Sequence, residues 1–134
     1  MPDKTTALVS RRPRRVLRAF LILVLLAAAG TALWTWGALS WSYSEGNRAG
    51  VLQKFSRKGW VCKTWEGELA QYVVAGVAPQ IWAFSVRDPL VAQRLSSQAG
   101  EHLQLHYSEH RGLPTSCFGD TGYFVDGSTL AGAP

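Results

Sequence analysis

From Ala19 to Ser44 the chain carries no charged side chain, and beyond that stretch its apolar residues fall into short alternating runs. The first pattern predicts one long helix. The second predicts a small, mainly β domain. A hydrocarbon core about 30 Å thick needs roughly 20 apolar residues in helical form. Val16–Trp36 supplies 21, and only Arg18 has to snorkel. Trp34, Trp36, Trp41 and Tyr43 follow at the far end, and rings of this amphipathic kind collect at the headgroup boundary.

Alternation orders the remainder. Ser44-Glu45-Gly46-Asn47 reads as a turn, Arg48–Ser56 as a first strand and Arg57-Lys58-Gly59 as a hairpin turn. Trp60–Leu69 is a second strand, continuing to Val74 past a bulge at Gly67, and Ala75–Pro79 is a loop. Gln80–Val86 is a third strand. A helix follows, with Asp88 as its cap, Pro89 in its first turn and Gly100 as its stop. His102–Ser108 and Thr121–Val125 complete the series as fourth and fifth strands, separated by a turn-rich loop from Glu109 to Gly119. The order β-β-β-α-β-β predicts a five-stranded OB-like barrel with its helix between strands 3 and 4. An open antiparallel sheet with one helix packed across it has the same order. The expected divisions are a basic N-terminus (1–15), a transmembrane helix with its outer interface (16–43), a β-barrel domain (44–126) and a flexible tail (127–134).

Charge sharpens the topology. Arg11, Arg12, Arg14, Arg15 and Arg18 precede the span, so the positive-inside rule predicts a cytoplasmic N-terminus and about 90 residues outside. A cleaved signal peptide shares this template, with Ala27-Ala28-Ala29 as its cleavage site. Cleavage there would leave a mature end rich in tryptophan and ill suited to water, so the uncleaved anchor is preferred. The net charge of +5 lies wholly within residues 1–18, and the remainder holds eight basic and eight acidic side chains. The basic pI is therefore a topology signal and does not point to nucleic acid.

Cys62 and Cys117 both fall on the outer side. An oxidising periplasm would let them pair, closing a long loop in a domain too small for a large core. Neither has a second ligand at metal-site spacing. His102, His106 and His110 recur every four residues, but Leu103, Leu105 and Tyr107 alternate with them. That is strand periodicity, and it sets the histidines about 13 Å apart on a solvated face, too far to share a metal. Glu66 and Glu68 share a strand face without any other sign of a cleft. No serine stands in a nucleophile motif. No catalytic residue, metal or cofactor is therefore expected.

One patch rises above this background. Arg48, Lys54, Arg57, Lys58 and Lys63 occur with no acid between them, interleaved with Phe55, Trp60 and Trp65. An OB-like barrel binds across its second and third strands, which would add Trp82 to Trp65 on the binding face. Cations beside rings suit an anionic, ring-bearing or lipid-like partner.

The blocks Tyr43-Ser-Glu-Gly-Asn-Arg-Ala-Gly50, Lys54-Phe-Ser-Arg-Lys-Gly59, Cys62-Lys-Thr-Trp-Glu-Gly-Glu-Leu69, Trp82-Ala-Phe-Ser-Val-Arg-Asp88 and Gly119-Asp-Thr-Gly-Tyr-Phe-Val125 resemble a family of small single-span bacterial membrane proteins of unassigned function. The resemblance implies a bacterial inner-membrane location. Relatives sometimes carry a sugar-phosphate dehydrogenase label, but no G-x-G-x-x-G follows a strand here and about 90 residues cannot hold two domains. The expectation is a membrane-anchored binding or interaction module. Its partners would be membrane lipid through the helix and an envelope protein, anionic lipid or glycan through the hairpin. A structural subunit, using the small residues Ala28, Gly30, Ala32 and Gly37, or a small envelope enzyme or accessory are the alternatives.

Overall fold

The computed structural model describes residues 12–71 and 75–132, which divide after Gly37 into two units. Helix α1 (Arg12–Ser40) has no acidic residue in its first turn. Its stretch Pro13–Ser40 includes an 18-residue window with a mean hydropathy of 2.3 and no buried residues, so it is long and apolar enough to cross a membrane. Within it, the hydroxyls of Thr31 and Thr35 donate back to the carbonyls of Ala27 and Thr31 at 2.9 and 2.8 Å. Such internal pairing spares them an unsatisfied group in an apolar medium. Residues 1–11, including Arg11 and most of the expected basic segment, lie outside the described residues.

The second unit contains strands β1 (Ser44–Lys58), β2 (Thr64–Ala70) and β3 (Ile81–Val86), helix α2 (Pro89–Ser96), and strands β4 (His102–Glu109) and β5 (Tyr123–Leu130). The strands hydrogen-bond in the order β1-β2-β3-β5-β4 and close into a barrel. Strand β1 makes closure possible. Its first half, Ser44–Val51, pairs with β4, and Val51–Lys58 pairs with β2. A register shift between Leu52 and Lys54 falls just inside the second half. One inserted residue reverses which side chains face inward. Leu52 points into the core before it, and Phe55 packs against the core after it.

Several boundaries differ from the sequence expectation. Gly46 and Asn47 are strand residues and not a turn, because Gly46 lies beneath Tyr107, whose hydroxyl a Cβ would meet at 3.2 Å. The irregularity expected at Gly67 falls on β1 instead. Gly67 is regular, and its missing side chain makes room for Phe84. Trp60–Cys62 belongs to the β1–β2 connection, since β2 starts at Thr64. The continuation to Val74 lies outside the described residues. Helix α2 has the expected cap, with Asp88 Oδ1 accepting the Leu90 N–H at 2.8 Å. It stops at Ser96, four residues before Gly100. Gly100 takes φ +87° in the following turn and donates to the Leu52 carbonyl at 2.8 Å. The tail expected to be flexible from Gly127 is strand through Leu130, paired with β4.

The core gathers the inward residues of all five strands around Phe84, which is fully buried, and Val91 and Leu95 of α2 close it. An alanine Cβ at Gly67 would stand 2.2 Å from the Phe84 ring, itself held by Phe55 and Trp82. Overpacking of this kind costs about 1–3 kcal/mol. Gly67→Ala should lower the stability of the barrel by that amount in chemical denaturation, whereas Gly76→Ala, in open space but with φ +81°, should leave the core's near-UV spectrum unchanged.

Candidate functional site

The connection from β4 to β5 runs over the outer face of β2 and β3 and is pinned there in two ways. The first is covalent: Cys62, in the β1–β2 connection, is disulfide-bonded to Cys117 in the β4–β5 connection, with Cα atoms 4.9 Å apart. The second is polar. Glu66 Oε2 accepts from the buried Ser85 hydroxyl at 2.6 Å, and its Oε1 accepts from the Asp120 N–H at 3.0 Å. The Thr121 N–H donates to Ser85 Oγ at 3.1 Å. Lys58 adds an exposed ion pair to Asp120 at 3.0 Å. Glu66, read from sequence as a solvated strand carboxylate, is therefore buried, because the loop lies over it. Glu68 remains half-buried.

Beside this loop is an open groove of about 310 Å³, lined by Arg57, Lys63, Trp65, Arg87, Pro89, Cys117 and Phe118 among others. Arg57 stands directly across the ladder from Trp65, which in turn faces Val86 on β3, one residue before Arg87. The Arg57 guanidinium carbon lies 5.9 Å from the Trp65 ring centre. That of Arg87 lies 5.9 Å from Phe118 and 5.7 Å from Phe124. Among the described residues, no carboxylate makes an ion pair with Arg57, Lys63 or Arg87. The nearest acid in sequence, Asp88, is engaged in capping α2.

The groove unites three of the residues expected from sequence: Arg57, Lys63 and Trp65. Lys58 is committed to Asp120, and Lys54 lines a separate shallow pocket of about 60 Å³ beside Glu66 and Asp120. Trp82 is only 7% exposed and cannot serve as an open binding platform. Its inward position on β3 puts it in the core, where Arg48 packs 4.8 Å over its ring and close to Tyr107 and Tyr123. Arg87 and Phe118 were missed. Arg87 stands alone in sequence, and Phe118 reaches the groove because the disulfide and the hydrogen bonds around Glu66 hold its loop there.

The other expected features also find places. His106 pairs with Asp126 at 2.5 Å, and no group of three metal-ligating side chains occurs among the described residues. His110 lies past β4, half-buried, with Nδ1 at 2.9 Å from the Ala38 carbonyl and 3.1 Å from that of Trp41. Both neighbours only accept, so Nδ1 carries the proton and caps the end of α1. On α1, Trp34 and Trp36 are 66% and 70% exposed; Trp41 is 79% exposed. Tyr43 is exposed beneath Arg111, 3.7 Å from its ring centre. At the apex of the β1–β2 connection, Trp60 and Val61 are fully exposed.

These features define a disulfide-stapled five-stranded barrel domain joined to one apolar helix and carrying a cationic groove at its loop end. Residues 41–125 match the family described as a domain of unknown function (DUF8785), and the chain belongs to that family. No curated protein matches the chain, and no solved structure does.

Two outcomes follow from the pinned loop. Protein isolated without reductant should resist alkylation at both cysteines, and Cys62→Ala should lower stability by about 2–4 kcal/mol. The hydrogen bond from Lys58 to Asp120, and then their attraction, hold the ammonium pKa above the ordinary lysine value. Its contribution is therefore complete below the ordinary lysine range and is lost as pH rises through the raised folded value. The stability difference between the parent and Lys58→Met should accordingly narrow at strongly alkaline pH and be unchanged between pH 6 and 8, a range well below lysine titration.

Proposed function

We propose that the protein is a membrane-anchored binding module of the bacterial envelope, with α1 spanning the inner membrane, its N-terminus cytoplasmic and the barrel periplasmic. The run Arg12–Arg18 ahead of an uncharged apolar stretch supports this orientation. A disulfide supports an oxidising compartment for the barrel. Trp34, Trp36, Trp41 and Tyr43 are read as the outer interface belt. The barrel is read as OB-type, supported by the strand order, by the parallel contact between β3 and β5, and by the position of α2 between β3 and β4. In such barrels the β1–β2 and β4–β5 loops flank the ligand face, and these two loops are the pair joined by Cys62–Cys117.

The observation that carries the binding reading is the groove, with three cations and no acid to neutralise them. Maintaining like charges together works against stability unless a partner supplies the opposite sign. The partner is an anionic lipid, glycan or acidic protein surface of the envelope. The fully exposed Trp60–Val61 apex favours a second reading, a structural subunit that docks through this tip onto a neighbouring membrane protein. The remaining alternative is an enzyme or enzyme accessory acting on envelope lipids or glycans.

A reporter active only outside the cytoplasm, fused after Pro134, should be active, and the intact chain should fractionate with membranes. Recovery of a soluble chain starting near Gly30 would overturn the anchor. Arg57→Glu combined with Arg87→Glu reverses the groove without touching Lys58 or the loop network. Complexes trapped by cross-linking in intact membranes should be lost in this variant while its melting temperature stays near that of the parent. If Trp60→Ser with Val61→Ser removes the complexes and the double reversal does not, the structural-subunit reading replaces the groove.

A further inference from the structure

We propose that the groove holds a phosphoryl group. This rests on the binding-module reading above and assigns its ligand chemistry. The decisive detail is what the aromatic rings do. Trp65 is not a free platform: Phe55 stacks on it at 5.3 Å with the planes 5° apart, and Arg57 lies over it at 5.9 Å. Arg87 is likewise placed between Phe118 and Phe124. The rings thus act as shelves for two guanidinium groups and do not offer open faces for a sugar ring or an acyl chain to stack on.

A shelved guanidinium keeps its N–H edge available in a fixed plane, which suits bidentate contact with an oxyanion. Ordering it in advance lowers the entropy lost on binding. Arg57 lies on β1 and Arg87 directly follows the last residue of β3, the strands on either side of β2, so their backbones are about two strand spacings, roughly 10 Å, apart. Their side chains can approach one group from two sides, with Lys63 as a third, compact charge. A carboxylate brings one negative charge and two oxygens. A phosphate monoester brings about −1.5 to −2 and three free oxygens, a closer match to two forks and an ammonium. The volume of about 310 Å³ is at the small end for ligand pockets. It suits a head group more than an extended chain.

The phosphoryl group has two possible sources, a lipid headgroup or a soluble phosphate ester. The full-length protein is placed in nanodiscs of phosphatidylcholine and titrated calorimetrically with glycerol phosphate, with malonate as the carboxylate comparison. Saturable binding of glycerol phosphate, tighter than that of malonate and weakened by salt, is the expected result. Arg57→Gln and Arg87→Gln should each weaken it at least tenfold, the loss expected when charge-assisted hydrogen bonds are removed. Arg57→Lys, which keeps the charge but loses the fork, should also weaken it. Arg94→Gln, on α2 and outside the groove, should have no effect.

In a second arm, discs containing phosphatidic acid are compared with discs containing phosphatidylglycerol. A several-fold rise in the apparent Kd for glycerol phosphate in the first alone, abolished in Arg57→Gln, identifies the lipid headgroup as the source. Equal values identify a soluble ester. Absence of saturable binding in phosphatidylcholine discs, malonate binding as tightly, or insensitivity to both arginine variants would overturn the proposal. Survival of cross-linked complexes dependent on Arg57 and Arg87 in that event would leave the binding module standing and remove only its ligand class.

Discussion

Closure of the barrel depends on β1, because one strand has to hydrogen-bond to different neighbours along its two halves. Fifteen residues provide the length, and the register shift after Leu52 provides the bend and the change of phase. Without the inserted residue, Phe55 and Arg57 would be turned to the outer face, since a one-residue slip exchanges the faces of a strand. Phe55 would leave the core cluster and Arg57 would leave Trp65. The groove is thus a consequence of how the barrel closes. The irregularity just past the point where β1 passes from β4 to β2 also places a cation at the loop end.

The β4–β5 connection completes the groove, and its two attachments have different physical roles. A cross-link across 55 residues acts largely on the unfolded chain, whose loop entropy it reduces. It does not orient Phe118 or fix the path of Gly119–Thr121. Orientation comes from the hydrogen bonds around Glu66, of which that from Ser85 is short and buried and those from the Asp120 and Thr121 N–H groups are part-buried. A buried carboxylate without those partners would be costly. Displacing the loop would leave Glu66 Oε1 without its Asp120 donor, with only Ser85 of β3 remaining on Oε2. Gly119 reinforces this arrangement: any Cβ there would meet Ser85 at 2.6 Å.

Local signals were the legible ones. The apolar span, the cap and proline of α2, the alternation of β4 and the element order are written in consecutive residues, and each was read correctly in kind. Boundaries failed wherever a distant partner decided them. Gly46 reads as a turn residue and Gly127 as the start of a flexible tail, and both are strand residues because Tyr107 and His106 lie across from them. The basic run Arg48–Lys63 was visible as composition, but composition could not sort it. Strand phase sends Arg48 to the aromatic interior, and Asp120, more than 50 residues away, claims Lys58. Trp82 was placed on the binding face by analogy with barrels in general, and its alternation phase on β3 puts it in the core.

Beyond residue 18 the chain is electrically neutral, and this constrains how the groove can work. A neutral domain has little long-range field with which to steer a ligand, and at physiological salt attraction between exposed charges fades within about 8 Å. Selectivity therefore has to arise at contact, from geometry and from local desolvation. Arg57 and Arg87 are exposed but each lies against an aromatic ring, so under the proposal an oxyanion would meet guanidinium edges already ordered on one side. Lys63 is exposed, with no ring contact among the described residues. In the proposed phosphoryl site the two arginines would set which group fits, and the lysine would add strength that salt can remove.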